Sequence, residues 1–252
     1  AATTARDVLP ADSGEFQLTA AKWGITHPPG YPLYTVASAL WMRLLPVGET
    51  LFRVNLFSAA LAATTLVLVA AAVRTWATAW GCTPRAAEIG GLAAALLFGS
   101  ASTFWAQATI ANIRMPTMLF EAWGFLALAR YTIWKSRLRD DEATLSSNAC
   151  VGSQSDAPPN ADCDPHKAND GRKIPPLIEL ALALGLGVGH HPSLIFVAVG
   201  WALYLLLIDP RLFVQPRHWW KAALVAGLAW LIPQFYLPLR DSMPNVPLAP
   251  GD

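Results

Sequence analysis

The chain has 252 residues, 54% hydrophobic and only 14% charged, with a formal net charge of +1. Soluble chains carry about 25% charged residues, so the composition excludes an ordinary soluble domain and points to an integral membrane protein. The arginines are scattered at predicted helix ends, with no basic run interleaved with aromatics, which excludes a nucleic-acid partner.

Residues 1–29 are polar and turn-rich. They carry Asp12-Ser-Gly-Glu15, read as a turn-like stretch, and end in His27-Pro-Pro-Gly-Tyr-Pro32. Tyr31 to Leu45 is apolar but only about 15 residues long, about 22 Å as a helix, short of a ~30 Å bilayer core. Pro32 suits a helix start, and Trp41 and Arg43 suit an interface. This predicts a juxtamembrane helix on or dipping into the membrane surface, with a short true span as the alternative.

Val54 to Val73 has no charge and predicts a spanning helix closed by Arg74. Ile89 to Ile110 predicts a second span, entered from Arg85 and Glu88. Met115 to Trp134 predicts a third, with Glu121 inside it. Residues 136–173 are rich in Asp, Ser, Asn and Pro and read as a long polar loop. Asp162-Cys163-Asp164-Pro-His166 within it lacks further ligands nearby to complete a metal site. The three cysteines, Cys82, Cys150 and Cys163, show no CxxC and permit at most one disulfide.

Ile174 to Ile208 is apolar but interrupted by Gly185, Gly187, Gly189 and His190-His191-Pro192. It is either one very long helix or a hairpin of two helices of about 16 residues each, short for a full crossing. The charges favour the hairpin. It keeps Arg74, Arg85, Lys135, Arg137, Arg139, Arg172, Lys173, Arg211, Arg217 and Lys221 on one side, which the positive-inside rule makes cytoplasmic. Ala222 to Leu239 is the last predicted span, kinked at Pro233. Tryptophans 76, 80, 105, 134, 219 and 220 flank these runs as an interfacial belt.

The expected fold is therefore an all-α polytopic bundle of about six transmembrane helices with an N-terminal juxtamembrane helix. Residues 1–50 form an outer loop, 51–135 and 174–240 hold three spans each, 136–173 is a cytoplasmic loop and 241–252 an outer tail. No signal peptide is visible.

This topology gathers Asp12, Glu15, His27, Arg53, Arg114, His190, His191 and Arg240 at one outer membrane face. Charged groups at membrane level are costly and tend to mark function. One carboxylate of Asp12 and Glu15 is suited to take a proton from an acceptor hydroxyl. The arginines and histidines are suited to a lipid phosphate.

Asp12-Ser-Gly-Glu-Phe16, His27-Pro-Pro-Gly-Tyr-Pro-Leu-Tyr34 and Phe52-Arg-Val-Asn-Leu-Phe-Ser58 resemble the bacterial protein O-mannosyltransferase-like family of the GT-C glycosyltransferase superfamily. Gly187-Val-Gly-His-His191 and Tyr236-Leu-Pro-Leu-Arg240 resemble later signatures of that family. The resemblance implies a GT-C-like fold in the bacterial cytoplasmic membrane, with the N-terminal loop outside. It implies Asp12 as catalytic acid or base, Glu15 as second acid and Arg53 at the start of the second span. The implied substrates are a polyprenyl-phosphate sugar, mannose, and a hydroxyl acceptor on the outer side. A divalent metal is compatible, although the sequence assigns no metal ligands. The expected partners are membrane lipids, the lipid-linked donor and other membrane subunits. The family also implies a span before Asp12 and further C-terminal spans, so the chain reads as a fragment or a reduced relative. The alternative function is a non-catalytic structural subunit of a larger membrane complex, packed through Ala/Gly-rich faces such as Gly90-Gly-Leu-Ala-Ala-Ala95.

Overall fold

The computed structural model describes residues 3–7, 12–152, 176–214 and 219–243, and every regular element among them is a helix. In chain order these are α1 (Asp12–Lys22), α2 (Pro32–Leu44), α3 (Thr50–Ala79), α4 (Pro84–Ser100), α5 (Ser102–Ala108), α6 (Arg114–Gly152), α7 (Pro176–His190), α8 (Leu194–Ile208), α9 (Arg211–Val214), α10 (Trp220–Gln234) and α11 (Tyr236–Asp241).

The expected turn at Asp12 is instead the start of a helix. Asp12 and Glu15 both lie in the first turn of α1, where carboxylates face the positive end of the helix dipole. Their three-residue spacing matches an N-terminal capping pattern. The helix closes in a Schellman turn. Trp23 takes a left-handed conformation at φ 55°, and the Gly24 N–H reaches back to the Thr19 carbonyl at 2.9 Å.

The juxtamembrane helix falls where the apolar run and its prolines place it, at Pro32–Leu44. Helix α3 is the longest apolar element, at 30 residues. The expected straight span 89–110 is broken. Helices α4 and α5 meet at Ala101 with a bend of 74°. The Ser100 hydroxyl donates to the Leu97 carbonyl at 2.9 Å, one turn before the break, and such local bonds compete with the helix ladder.

Helix α6 begins on a side-chain cap. Asn112 Oδ1 accepts the N–H groups of Arg114 (2.9 Å) and Met115 (3.1 Å). It then runs past Trp134 to Gly152, so the first part of the expected 136–173 loop is helical. The Asp162–His166 segment lies outside the described residues, as does the expected outer tail from 244 onward. Cys82 is exposed, and Cys163 lies outside the described residues.

Two described helical stretches, Thr50–Ala79 and Trp220–Asp241, are long and apolar enough to cross a membrane, and the bent α4–α5 pair is either a broken third span or a re-entrant loop. Helices α7 and α8 are apolar but have 15 residues each. They join at His191–Ser193 and both line one apolar cavity of about 340 Å³. Leu177 and Leu205 share it with Leu184 and Ala198, as the arms of a hairpin would.

The largest core lies between α6, α7 and α8, where Leu128, Tyr131, Leu180, Leu194, Trp201 and Leu205 are buried. A second unites α1, α2 and α3 through Phe16, Tyr34, Met42 and Val54. Helices α7 and α10 pack with little between them. A Cβ on Gly185 would lie 2.3 Å from the Ala226 carbonyl oxygen. Away from the site, two carboxylates pin α6. Glu179 is paired with Arg130 and accepts from Trp123 Nε1 at 3.0 Å, while Asp209 lies 3.0 Å from Lys135 Nζ and accepts from the Tyr131 hydroxyl at 2.7 Å.

Candidate functional site

The ends of six elements converge around α1. The first group is the acid–imidazole cluster. Glu15 Oε1 accepts the backbone N–H of His27 at 2.5 Å, and Glu15 Oε2 lies 2.7 Å from His27 Nδ1. Glu15 is largely buried, at 11% side-chain exposure, and Asp12 is exposed. Ligand-type atoms of Asp12, Glu15 and His27 all lie within 4.8 Å of one another. Two carboxylates and an imidazole are a donor set that a divalent cation accepts.

The His27–Tyr31 turn is shaped around this cluster. The Pro28–Pro29 bond is cis, and Gly30 sits at φ 90°. A Cβ on Gly30 would lie 2.8 Å from Leu237 Cδ2 of α11, so glycine serves both the conformation and the close approach there. Tyr31 follows at φ 38°, also left-handed, and caps α2.

Tyr31 links the acids to the α7–α8 turn. Its ring meets His27 edge-on at 5.5 Å between centroids, lies parallel to His191 at 6.1 Å, and is 6.0 Å from His190. Burial raises the Tyr31 phenol above its ordinary range, and the negative charges of Asp12 and Glu15 push it the same way.

His190 is buried, and its Nε2 lies 2.9 Å from the Ile113 carbonyl. A carbonyl only accepts, so Nε2 carries the proton and Nδ1 presents a lone pair. His191 Nδ1 accepts the Ser193 N–H at 3.2 Å and is 2.6 Å from the Ser193 hydroxyl. The sequence-predicted residues Asp12, Glu15, His27, His190 and His191 are thus brought together.

The arginines divide. Arg53 donates to the Gly48 carbonyl through Nε (3.1 Å) and one terminal nitrogen (2.8 Å), and to the Met42 carbonyl at 3.2 Å. It fastens the α2–α3 turn. Arg240 Nε donates to the Trp23 carbonyl at 2.5 Å, and a terminal nitrogen reaches the Lys22 carbonyl at 3.3 Å. The Tyr236 hydroxyl also donates to Trp23, at 2.7 Å. On the same helix end, Arg43 donates to Ala21 at 3.1 Å and lies over the Trp23 ring at 4.6 Å. A helix leaves its last four carbonyls unpaired, and here Arg43 takes up those of Ala20 and Ala21, Arg240 that of Lys22 and the Gly24 N–H that of Thr19. Arg114 is exposed at the start of α6, and its guanidinium has no partner among the described residues.

Sequence reasoning missed the residues that anchor α1. Asn55 is fully buried. Its Oδ1 accepts from Gln17 Nε2 at 3.1 Å and from the Ala111 N–H at 2.9 Å, and its Nδ2 donates to the Ala5 carbonyl at 2.8 Å. A carboxamide inside the apolar Phe52–Ser58 run was the available signal, because a buried amide needs partners.

Apolar helices with an acid–imidazole cluster at one end define a helical, membrane-type protein with a polar site at the ends of its helices. Residues 12–212 match the family model of the protein O-mannosyl-transferase TMEM260 N-terminal domain, and the chain belongs to that family. Protein O-mannosyl-transferase TMEM260 of Mus musculus is 44% identical over 54 residues, 21% of this chain and 8% of that protein. Protein O-mannosyl-transferase tmem260 of Dictyostelium discoideum is 21% identical over 202 residues, 79% of this chain and 21% of that protein. The chain therefore matches about a fifth or less of the length of these relatives. No solved structure matches it.

Proposed function

We propose that this chain is the acid-bearing membrane part of a protein O-mannosyltransferase that uses a polyprenyl-phosphate mannose donor. The observation that carries the reading is the Asp12–Glu15–His27 cluster, held beside the His190–His191 turn in a chain of this family. Asp12 takes the proton of an acceptor hydroxyl. The acceptor oxygen forms a bond to the anomeric carbon, and the bond from that carbon to the phosphate oxygen breaks. The phosphate leaves with the electron pair. Glu15, engaged with His27, orients the imidazole. Arg114 and His191 meet the departing phosphate, while Arg53 and Arg240 hold the scaffold around it and His190, buried and bonded to the Ile113 carbonyl, holds the α7–α8 turn.

The same proposal extends to architecture. The α6 stretch 115–134 and the α7–α8 hairpin join α3, α4–α5 and α10–α11 in a six-span, GT-C-like bundle, with the acids on the outer face. The resemblance to bacterial motifs favours a cytoplasmic membrane; the mouse and Dictyostelium relatives show that the family also occurs in eukaryotes.

The test is Asp12→Asn in the full-length protein, assayed for mannose transfer from polyprenyl-phosphate mannose to an acceptor peptide. A positioned general base contributes about 10²–10⁴-fold, so activity should fall by at least that lower factor while the protein stays folded in the membrane. Full activity in this variant would sink the reading. Chelation and re-addition of Mn²⁺ or Mg²⁺ in the same assay decides whether the three-ligand cluster works with a cation. The second reading, a non-catalytic subunit, draws on α8, where Phe196 and Leu207 are each 82% exposed. It predicts stable co-purification with membrane partners and no transfer at all.

A further inference from the structure

Tyr31 has no task in the proposed transfer chemistry. Its backbone takes the left-handed region, at φ 38° and ψ 53°, a conformation that strains a bulky residue and persists only where the surroundings impose it. The following Pro32 narrows its choices further. The surroundings do impose it. Phe16 meets the ring edge-on at 5.8 Å and His27 at 5.5 Å, while His190 and His191 lie 6.0 and 6.1 Å away. These neighbours come from α1, from the His27–Gly30 turn and from the α7–α8 turn.

The ring is therefore fixed, and the residue is only 5% exposed. Its hydroxyl nevertheless bonds no described residue, and its oxygen is not sealed as that of Tyr34 is. A buried tyrosine ordinarily finds a partner for this group. The ring is fixed against His27, whose ligand nitrogen lies within 4.8 Å of oxygens of Asp12 and Glu15, so the phenol is an unused hydrogen-bond donor at the acid cluster. The acceptor substrate's hydroxyl has to donate to Asp12, so the oxygens left to receive a bond are those of the sugar phosphate. Donors besides Arg114 are needed there, because Arg53 and Arg240 are bonded to backbone carbonyls and a phosphate near two carboxylates meets like charge.

We propose that Tyr31 is a further substrate-contacting residue, whose hydroxyl donates a hydrogen bond to an oxygen of the sugar-phosphate donor at the acid cluster. This rests on the transfer reading and names a specific contact within it. The strained backbone sets the phenol in place before substrate arrives, so the bond costs little ordering at the moment of binding.

The experiment uses full-length protein in nanodiscs, with wild type, Tyr31→Phe and Asp12→Asn side by side. Polyprenyl-phosphate mannose is varied in the transfer assay and titrated directly for binding. Tyr31→Phe removes one oxygen and keeps every ring contact, so its melting temperature should equal that of wild type. Its kcat/KM for the donor should fall about 10- to 100-fold, as expected for a lost bond to a charged group, with the loss visible in donor binding. Wild-type donor kinetics in Tyr31→Phe, with Asp12→Asn inactive, would overturn the assignment of Tyr31 and leave the transfer reading intact. Parallel falls in activity and melting temperature would also overturn it, by making the effect structural. If Asp12→Asn is fully active, the transfer reading fails. Unchanged donor binding in Tyr31→Phe would then dispose of the Tyr31 contact as well.

Discussion

Asn55→Leu tests whether α1, and with it the acid cluster, is anchored from below by α3. Leucine has a similar volume, so the substitution leaves little cavity and isolates the polar loss. It removes an acceptor from the Ala111 N–H (2.9 Å) and from Gln17 Nε2 (3.1 Å), and a donor from the Ala5 carbonyl (2.8 Å). Gln17 Nε2 keeps the Asp7 carbonyl at 3.3 Å, so its share of the cost is the smallest. Each buried group left without a partner costs about 1–3 kcal/mol. With two groups fully deprived, the expected destabilisation is about 2–6 kcal/mol. Denaturant or thermal unfolding of the purified full-length protein in nanodiscs measures the total. Hydrogen exchange over residues 12–22 locates it, since α1 should lose protection first. Asn55→Asp keeps the acceptor but sets a carboxylate oxygen against the Ala5 carbonyl, and should be no more stable than Asn55→Leu. An Asn55→Leu protein as stable as wild type, with α1 equally protected, would refute the anchoring argument.

Gly185→Ala should lower the melting temperature. The new Cβ would lie 2.3 Å from the Ala226 carbonyl oxygen and 2.9 Å from its carbon, so α7 and α10 must move apart, at a typical overpacking cost of about 1–3 kcal/mol. Gly200→Ala, where a Cβ would meet nothing within 4 Å, is the control and should be neutral or mildly stabilising. Arg240→Ala should raise hydrogen exchange at residues 19–24 and cost about 1.5–3 kcal/mol, the scale of a lost charge-assisted bond, with Tyr236 still holding Trp23. A rise in the KM for the lipid-linked donor with no change in exchange would instead return Arg240 to the phosphate.

The parts of the fold readable in the sequence are those bounded by strong local signals. Pro32 and Pro46 bracket the juxtamembrane helix, and the His190–Pro192 cluster divides the 174–208 run into two helices. Hydropathy alone misled in three places. Helix α1 is polar, so by hydropathy its Asp12/Glu15 spacing reads as a turn although it also fits a helix start. The charged stretch after Trp134 reads as loop by hydropathy, yet Lys, Arg, Glu and Leu are good helix formers and Arg137 and Asp141 stand four apart. The bend at Ala101 is invisible to a window average, because serine and glycine change direction without changing apolarity much.

The site divides along the same line. Which helix ends meet follows from the alternation of spans, so the company of Asp12, His27 and His190–His191 was legible. What each cation touches was not, because that depends on where backbone carbonyls lack partners. The carbonyls of Lys22 and Trp23 are open because α1 ends there, and Arg240 answers them at 3.3 and 2.5 Å. Turning Arg240 toward a phosphate would uncap α1, the helix that carries both acids, so binding an anion there would loosen the acid cluster. Arg53 stands in the same relation to the Gly48 carbonyl. Arg114 carries no such penalty: it is exposed, unpartnered among the described residues, and at the positive end of α6. A donor phosphate therefore disturbs the acid cluster least when it lies toward Arg114, on the side where His190 bonds Ile113.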